Sequence, residues 1–133
     1  MKSRSMLTLE DCRQISAAAE AEARKNNWNV CITIHDDGGH LLHLVRMDGA
    51  TPANSRIAME KGRTAAETRR STAMWEERVK SGRMVMLKMP GVTPVQGGLP
   101  IVVDGECIGA VGVSGVQSHE DEQIASAGIA VIG

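Results

Sequence analysis

Apolar positions change period along the chain, and that change predicts the elements. Cys12, Ile15, Ala19 and Ala23 recur at helical spacing, a narrow alanine-rich stripe suited to close packing. Thr8 with Asp11 three residues on predicts a capping box at the start of that helix, and Asn26-Asn27 ends it. Val30, Ile32 and Ile34 then alternate with Cys31, Thr33 and His35, which is strand periodicity. Asp37-Gly38-Gly39 predicts a primed hairpin turn, with Leu41 to Met47 returning as the partner strand. Simple pairing sets Val30, Ile32 and Ile34 beside Leu41, His43 and Val45. The other face then carries Cys31, Thr33, His35, Leu42, Leu44 and Arg46. Both faces are substantially apolar, so both are expected to be covered, by helices or by a second subunit.

Pro52 bars continuation of the strand, and a helix is expected from Ser55 to about Arg70. Ser71 or Thr72 caps another helix carrying Met74, Trp75 and Val79, which stops near Gly82. Met84 to Met89 is a short apolar stretch closed by Pro90-Gly91. Leu99–Val103, an Asp104-Gly105 turn and Cys107–Val113 predict a second tight hairpin of two near-continuously apolar strands, a pattern of central strands. Ser118 is expected to cap a last helix whose first turn holds Glu120, Asp121 and Glu122, the sign that the helix dipole prefers. No repeat or linker interrupts the 133 residues, which read as a single domain over 1–133 with a ragged terminus at 1–6.

Composition narrows the function. Fifteen basic against sixteen acidic residues leave a net charge of -1, so no broad field points to nucleic acid or anionic lipid. Two tryptophans and no Tyr or Phe remove the stacking platforms of single-strand binders. No apolar run reaches the ~18 residues of a membrane span, and no charged-then-apolar leader opens the chain. Cys12, Cys31 and Cys107 are odd in number and form no CxxC pair, so reduced structural thiols in a cytoplasm are the expectation.

The string Asp36-Asp37-Gly38-Gly39-His40, followed by Arg46-Met47-Asp48-Gly49, resembles the GlcG/HbpS family of haem-binding-like proteins. So do Lys61 with Thr64-Ala65, the run from Pro94 to Gly105, and Gly109-Ala110-Val111-Gly112-Val113-Ser114-Gly115. Asp121-Glu122 and Ala127-Gly128 in the last helix complete the pattern, which runs from about Leu7 to the C-terminus. The resemblance implies an α/β (α+β), profilin-like fold: an antiparallel sheet of about five strands with helices on both faces. It also implies a homo-oligomer, a dimer or a higher even-numbered assembly.

Two functions remain open on the residues. The first is a module that binds haem or a related tetrapyrrole in a pocket between sheet and helices or between subunits. Imidazole is a common axial ligand, so His40 and His119 are the iron candidates, with His43 behind them. Arg46 or Lys61 would meet the propionates, since a guanidinium can hold a carboxylate through two parallel hydrogen bonds. The second is a metal-free catabolic enzyme, a lyase or isomerase, acting on a small carboxylated substrate. There His119 with Asp121 would move protons, Asp36 would be a further acid, and Arg46, Asp48 or Lys61 would contact the ligand. Consecutive amides at Gly97-Gly98 and the strand end at Ser114-Gly115 would form an anion cradle. Each feature also has a plain structural reading. His40 can be a solvated turn residue, His43 a satisfied core histidine, Lys61 half of an ion pair with Asp36, Asp48 or Asp121, and Gly97-Gly98 a place of close strand approach.

Overall fold

The computed structural model describes residues 1–132. Helix α1 (Leu9–Lys25) begins at the expected capping box: Thr8 Oγ1 accepts the Asp11 amide at 3.1 Å, and the Asp11 carboxylate accepts the Thr8 amide at 2.8 Å. Its stripe of Cys12, Ile15, Ala19 and Ala23 is fully buried. Strands β1 (Cys31–Asp36) and β2 (Leu41–Arg46) follow, then helices α2 (Pro52–Thr68) and α3 (Thr72–Lys80). A 3₁₀ turn, Met84–Lys88, precedes strands β3 (Gly98–Val103) and β4 (Glu106–Ser114), and α4 (Ser118–Ile129) closes the fold.

The sheet is antiparallel throughout, in the order β2-β1-β4-β3. One face buries Ile32, Ile34, Ile101, Val111 and Val113 against Ile15, Ala19, Ile124 and Ala125 of α1 and α4. The other lies under α2, where Ala65 and Ala66 pack on Ala110. This is the helix-flanked sheet that the resemblance implied, with four strands among the described residues rather than five. The fifth strand had no apolar run to supply it, because Met84–Lys88 coils into a 3₁₀ turn.

Local expectations are corrected in five places. Strand β3 is an edge, not central: Val102 is exposed, and Pro100 has no amide to give to a second neighbour. Helix α2 starts at Pro52 rather than Ser55, because proline suits the first turn, where its missing amide would be unbonded anyway. The cap of α4 is Gln117, whose amide donates to Glu120 Oε1 at 3.1 Å, in place of Ser118. In the first hairpin only Gly39 has positive φ, +84°, so the turn is not the primed form; the second is, with Asp104 at +51° and Gly105 at +77°. Finally, a bulge between Ile34 and His35 shifts the register. Ile32 and Ile34 still face Val45 and His43, but Leu41 lies opposite His35 and so joins the α2 side. That edge strand leaves Leu41 and Leu42 exposed.

Candidate functional site

Two groups of the candidate residues converge, and they do so in different surroundings. The first lies where α2, the end of β4 and the start of α4 meet. Lys61 and Asp121 are each only 2% exposed. Lys61 Nζ donates to Asp121 Oδ2 at 3.0 Å and to the Val113 carbonyl at 3.1 Å. Asp121 Oδ1 accepts the Val116 amide at 3.1 Å. Burial pushes the Asp121 carboxyl above its ordinary range, opposed by the Lys61 ammonium and the Val116 amide. Both oxygens therefore have structural partners, and the ion-pair reading of Lys61 is the one realised.

The glycines of this region serve approach. A Cβ on Gly97 would stand 2.8 Å from both Lys61 Nζ and the Val113 carbonyl, and one on Gly98 would overlap the Lys61 carbonyl. The Gly98 amide donates to Thr72 Oγ1 at 2.8 Å, and the Gly97 carbonyl accepts from the Val113 amide at 3.0 Å. Ser114 is buried beside them, its hydroxyl 3.2 Å from Asn54 Oδ1. These are packed, bonded groups.

The second group sits at the β1–β2 turn, which β1 and the bulge hold at the end of the sheet. Asp36 Oδ1 accepts the amides of Gly38 at 2.9 Å and His40 at 3.0 Å. His40 Nδ1 lies 3.1 and 3.2 Å from the two Asp36 oxygens. A carboxylate only accepts, so Nδ1 carries a proton, and in the neutral ring Nε2 keeps its lone pair. The His40 side chain is 81% exposed, so that lone pair is offered to solvent. Partial burial works against the Asp36 charge, yet the two amides and the imidazole hold its carboxyl below the ordinary range. Arg4 pairs with the Asp37 carboxylate and Arg69 donates to the Asp37 carbonyl, placing two guanidinium groups on the same turn.

The remaining candidates stand apart. Arg46 and Asp48 are exposed where β2 ends, and neither forms an ion pair among the described residues. His119 is exposed in the first turn of α4 and makes no hydrogen bond to the buried Asp121 among the described residues. His43 is half-buried on β2. The structure adds His35 and Thr33, both buried on the α2 side of β1 and bonded to each other at 3.0 Å. Alternation had put them on one face; their contact with α2 is a long-range fact that spacing does not carry. All three cysteines are free and buried, and burial pushes the Cys12 and Cys31 thiols up. No helix among the described residues is long and apolar enough to cross a membrane.

Comparison with known proteins agrees with this architecture. The family described as "Haem degrading protein HbpS-like" matches residues 7–130. Protein GlcG of Escherichia coli K12 is 50% identical over 114 residues, which cover 86% of this chain and 85% of that protein. A crystal structure of a Streptomyces reticuli HbpS double mutant superposes with a TM-score of 0.90 at 30% identity, covering 100% of this chain and 91% of that one. A crystal structure of a PduOC:haem complex has a TM-score of 0.88 at 28% identity, over 97% and 96% of the two chains. With its sheet order, its helix-covered faces and this match along nearly its whole length, the chain belongs to the HbpS-like family.

Proposed function

We propose that the protein binds haem, or a related tetrapyrrole, with His40 at the β1–β2 turn as the iron ligand. The observation that carries this is the state of that imidazole: Nδ1 is held by Asp36 while Nε2 faces solvent. A carboxylate on the far nitrogen fixes the tautomer, orients the ring and raises its basicity, as for metal-binding histidines generally. Arg4 and Arg69 suit the two propionates, and the exposed Leu41 and Leu42 offer apolar contact beside the turn. Bound haem would supply an iron centre for redox or ligand-binding chemistry. The solved haem complex of a family neighbour supports the class of ligand.

An apolar wall broad enough for a porphyrin face fits best between copies of the chain. Leu41 and Leu42 on the β2 edge, with Met84, Val85, Leu87 and Met89 around the 3₁₀ turn, are exposed in one protomer. Burying either of these two apolar patches between copies is the reason for reading the protein as a dimer or higher even-numbered assembly, and a cytoplasmic location belongs to the same proposal.

The test is a titration of purified apo-protein with haem, followed at the Soret band. Saturable binding, one haem per chain or per dimer, is expected. His40→Ala should abolish saturation and His119→Ala should retain it. Asp36→Asn should weaken affinity by roughly 10- to 100-fold, the usual cost of losing the partner that orients a ligand histidine. Weak, unsaturable uptake, or saturation unchanged by His40→Ala, overturns the reading.

A further inference from the structure

His35 is 2% exposed, and its ring packs against Gly62 of α2, where any Cβ would overlap ring atoms Cδ2 and Nε2. Nδ1 is 3.1 Å from the Gly39 carbonyl and Nε2 is 3.0 Å from Thr33 Oγ1. Thr33 Oγ1 is in turn 3.1 Å from the Ala58 carbonyl of α2 and 3.3 Å from the Gly112 carbonyl of β4. Donor and acceptor counting over these four contacts allows two complete arrangements. A carbonyl can only accept, so Nδ1 carries a proton in both. In the neutral ring Nε2 accepts the Thr33 hydroxyl proton. In the imidazolium Nε2–H donates to Thr33 Oγ1, and the single hydroxyl proton turns to Ala58 or Gly112. An ordinary buried histidine gains an unpartnered N–H on protonation; this one does not.

We propose that His35 and Thr33 form a two-state proton-holding latch on the β1–β2 turn. The Nδ1–H group fixes the Gly39 carbonyl in both charge states, and the Thr33 hydroxyl reverses direction when the ring takes its second proton. His35 is thereby a positioning residue for the segment that presents Asp36 and His40, and the latch stands whether or not His40 binds iron. The charges around the ring act in both directions. Asp36 on its own strand and Glu60 on α2 favour the imidazolium, while Arg63 on α2 opposes it. From β4, Ala110 lies opposite His35 and Gly112 opposite Thr33, and neither carries charge. The turn itself rests on Arg63 and Glu67, which close over Gly39. Desolvation is the largest influence and depresses the ring's proton affinity, so the neutral arrangement is the resting one at pH 7.

The experiment is an NMR titration of ¹⁵N-labelled imidazoles between about pH 4.5 and pH 8, the range over which histidine changes charge. Wild type, Thr33→Val and Thr33→Ser are compared. Amide hydrogen exchange is read at Asp36 and Gly39, whose amides bond the His40 carbonyl at 2.9 Å and the Asp36 carbonyl at 3.1 Å. Wild-type His35 should show the Nδ1–H tautomer when neutral, with turn protection retained in both charge states. Thr33→Val removes the acceptor for Nε2–H, so the His35 pKa should fall by about one unit or more and the turn amides should lose protection in acid. Thr33→Ser should restore both. A neutral Nε2–H tautomer in wild type overturns the latch, as does a Thr33→Val titration equal to wild type. The wild-type tautomer needs no variant, so the proposal stays refutable if Thr33→Val does not fold.

Discussion

Replacing Lys61 by Met tests the buried pair directly. The substitution keeps most of the stem volume and removes Nζ, hence the bonds to Asp121 Oδ2 at 3.0 Å and to the Val113 carbonyl at 3.1 Å. Asp121 is then a carboxylate only 2% exposed, with the Val116 amide as its remaining partner. Breaking one side of a buried pair costs about 3–5 kcal/mol, because the surviving charge stays desolvated. With a urea dependence of roughly 2 kcal/mol/M, the midpoint should fall by about 2 M at neutral pH. Two internal checks follow from the same physics. Acid should shrink the deficit, since a protonated Asp121 no longer carries the uncompensated charge. The double variant Lys61→Met, Asp121→Leu should recover much of the loss, because an apolar pair of similar volume often replaces a buried ion pair at little cost. A midpoint loss of less than about 0.5 M, equivalent to about 1 kcal/mol, would refute the reasoning by showing that water or movement of α4 solvates Asp121.

Gly112→Ala should destabilise more than an ordinary alanine insertion. Its Cβ would overlap the Ala58 carbonyl, backbone against backbone, so α2 must lift from β4. A loss of about 1–3 kcal/mol or more is expected, and an unchanged thermal midpoint would contradict the close helix–sheet contact. The depressed proton affinity of buried His35 fixes a pH dependence of stability. Its unfolded value lies near pH 6.5, so the contribution is fully present above that value and is lost as pH falls towards the lower folded value. Urea midpoints of wild type should therefore drop between about pH 7.5 and pH 5 more steeply than those of His35→Gln; equal slopes would show that the ring titrates alike in both states.

Features set by neighbours in sequence were legible, and features set by partners far along the chain were not. The Thr8–Asp11 capping box spans three residues, so its whole geometry is local, and it forms as read. The Asp104-Gly105 turn is equally local and takes its two positive φ values. Strand order is different in kind. Cys107–Val113 and Leu99–Val103 look alike as apolar runs, yet β4 lies between β1 and β3 while β3 is an edge. Pro100, which has no amide to give to a second neighbour, is a local signal of that edge. The bulge at Ile34/His35 moves Leu41 across the sheet, an event that regular alternation cannot show. The sequence offers Asp36, Asp48 and Asp121 alike as partners for Lys61. The burial of Lys61 and Asp121 depends on a contact sixty residues apart, which only the packing of α4 supplies. Alternation puts His35 on the face opposite Ile32 and Ile34 and leaves its role open, because the carbonyls of Ala58 and Gly112 that meet its partner Thr33 come from α2 and β4.

If His40 binds haem as proposed, the two groups of polar residues divide stability from recognition. Around Lys61, the described bonds end on protein atoms, and Gly97 and Gly98 bring backbone within van der Waals distance of the lysine. The side chains of Lys61, Asp121 and Ser114 are all bonded to protein atoms, so a ligand would reach them only by breaking a bond that the fold uses. At the turn the reverse holds: Asp36 spends its oxygens on orienting His40, and the imidazole turns its other nitrogen outward. Variants of the first group should therefore lower the urea midpoint while leaving the haem stoichiometry of the folded fraction intact. Variants at His40, an exposed side chain with a single partner residue, should remove saturable haem uptake while shifting stability by no more than about 0.5 kcal/mol. Loss of haem binding in Lys61→Met at a temperature where the chain is still folded would break that division, and would make the end of β4 part of the ligand site after all.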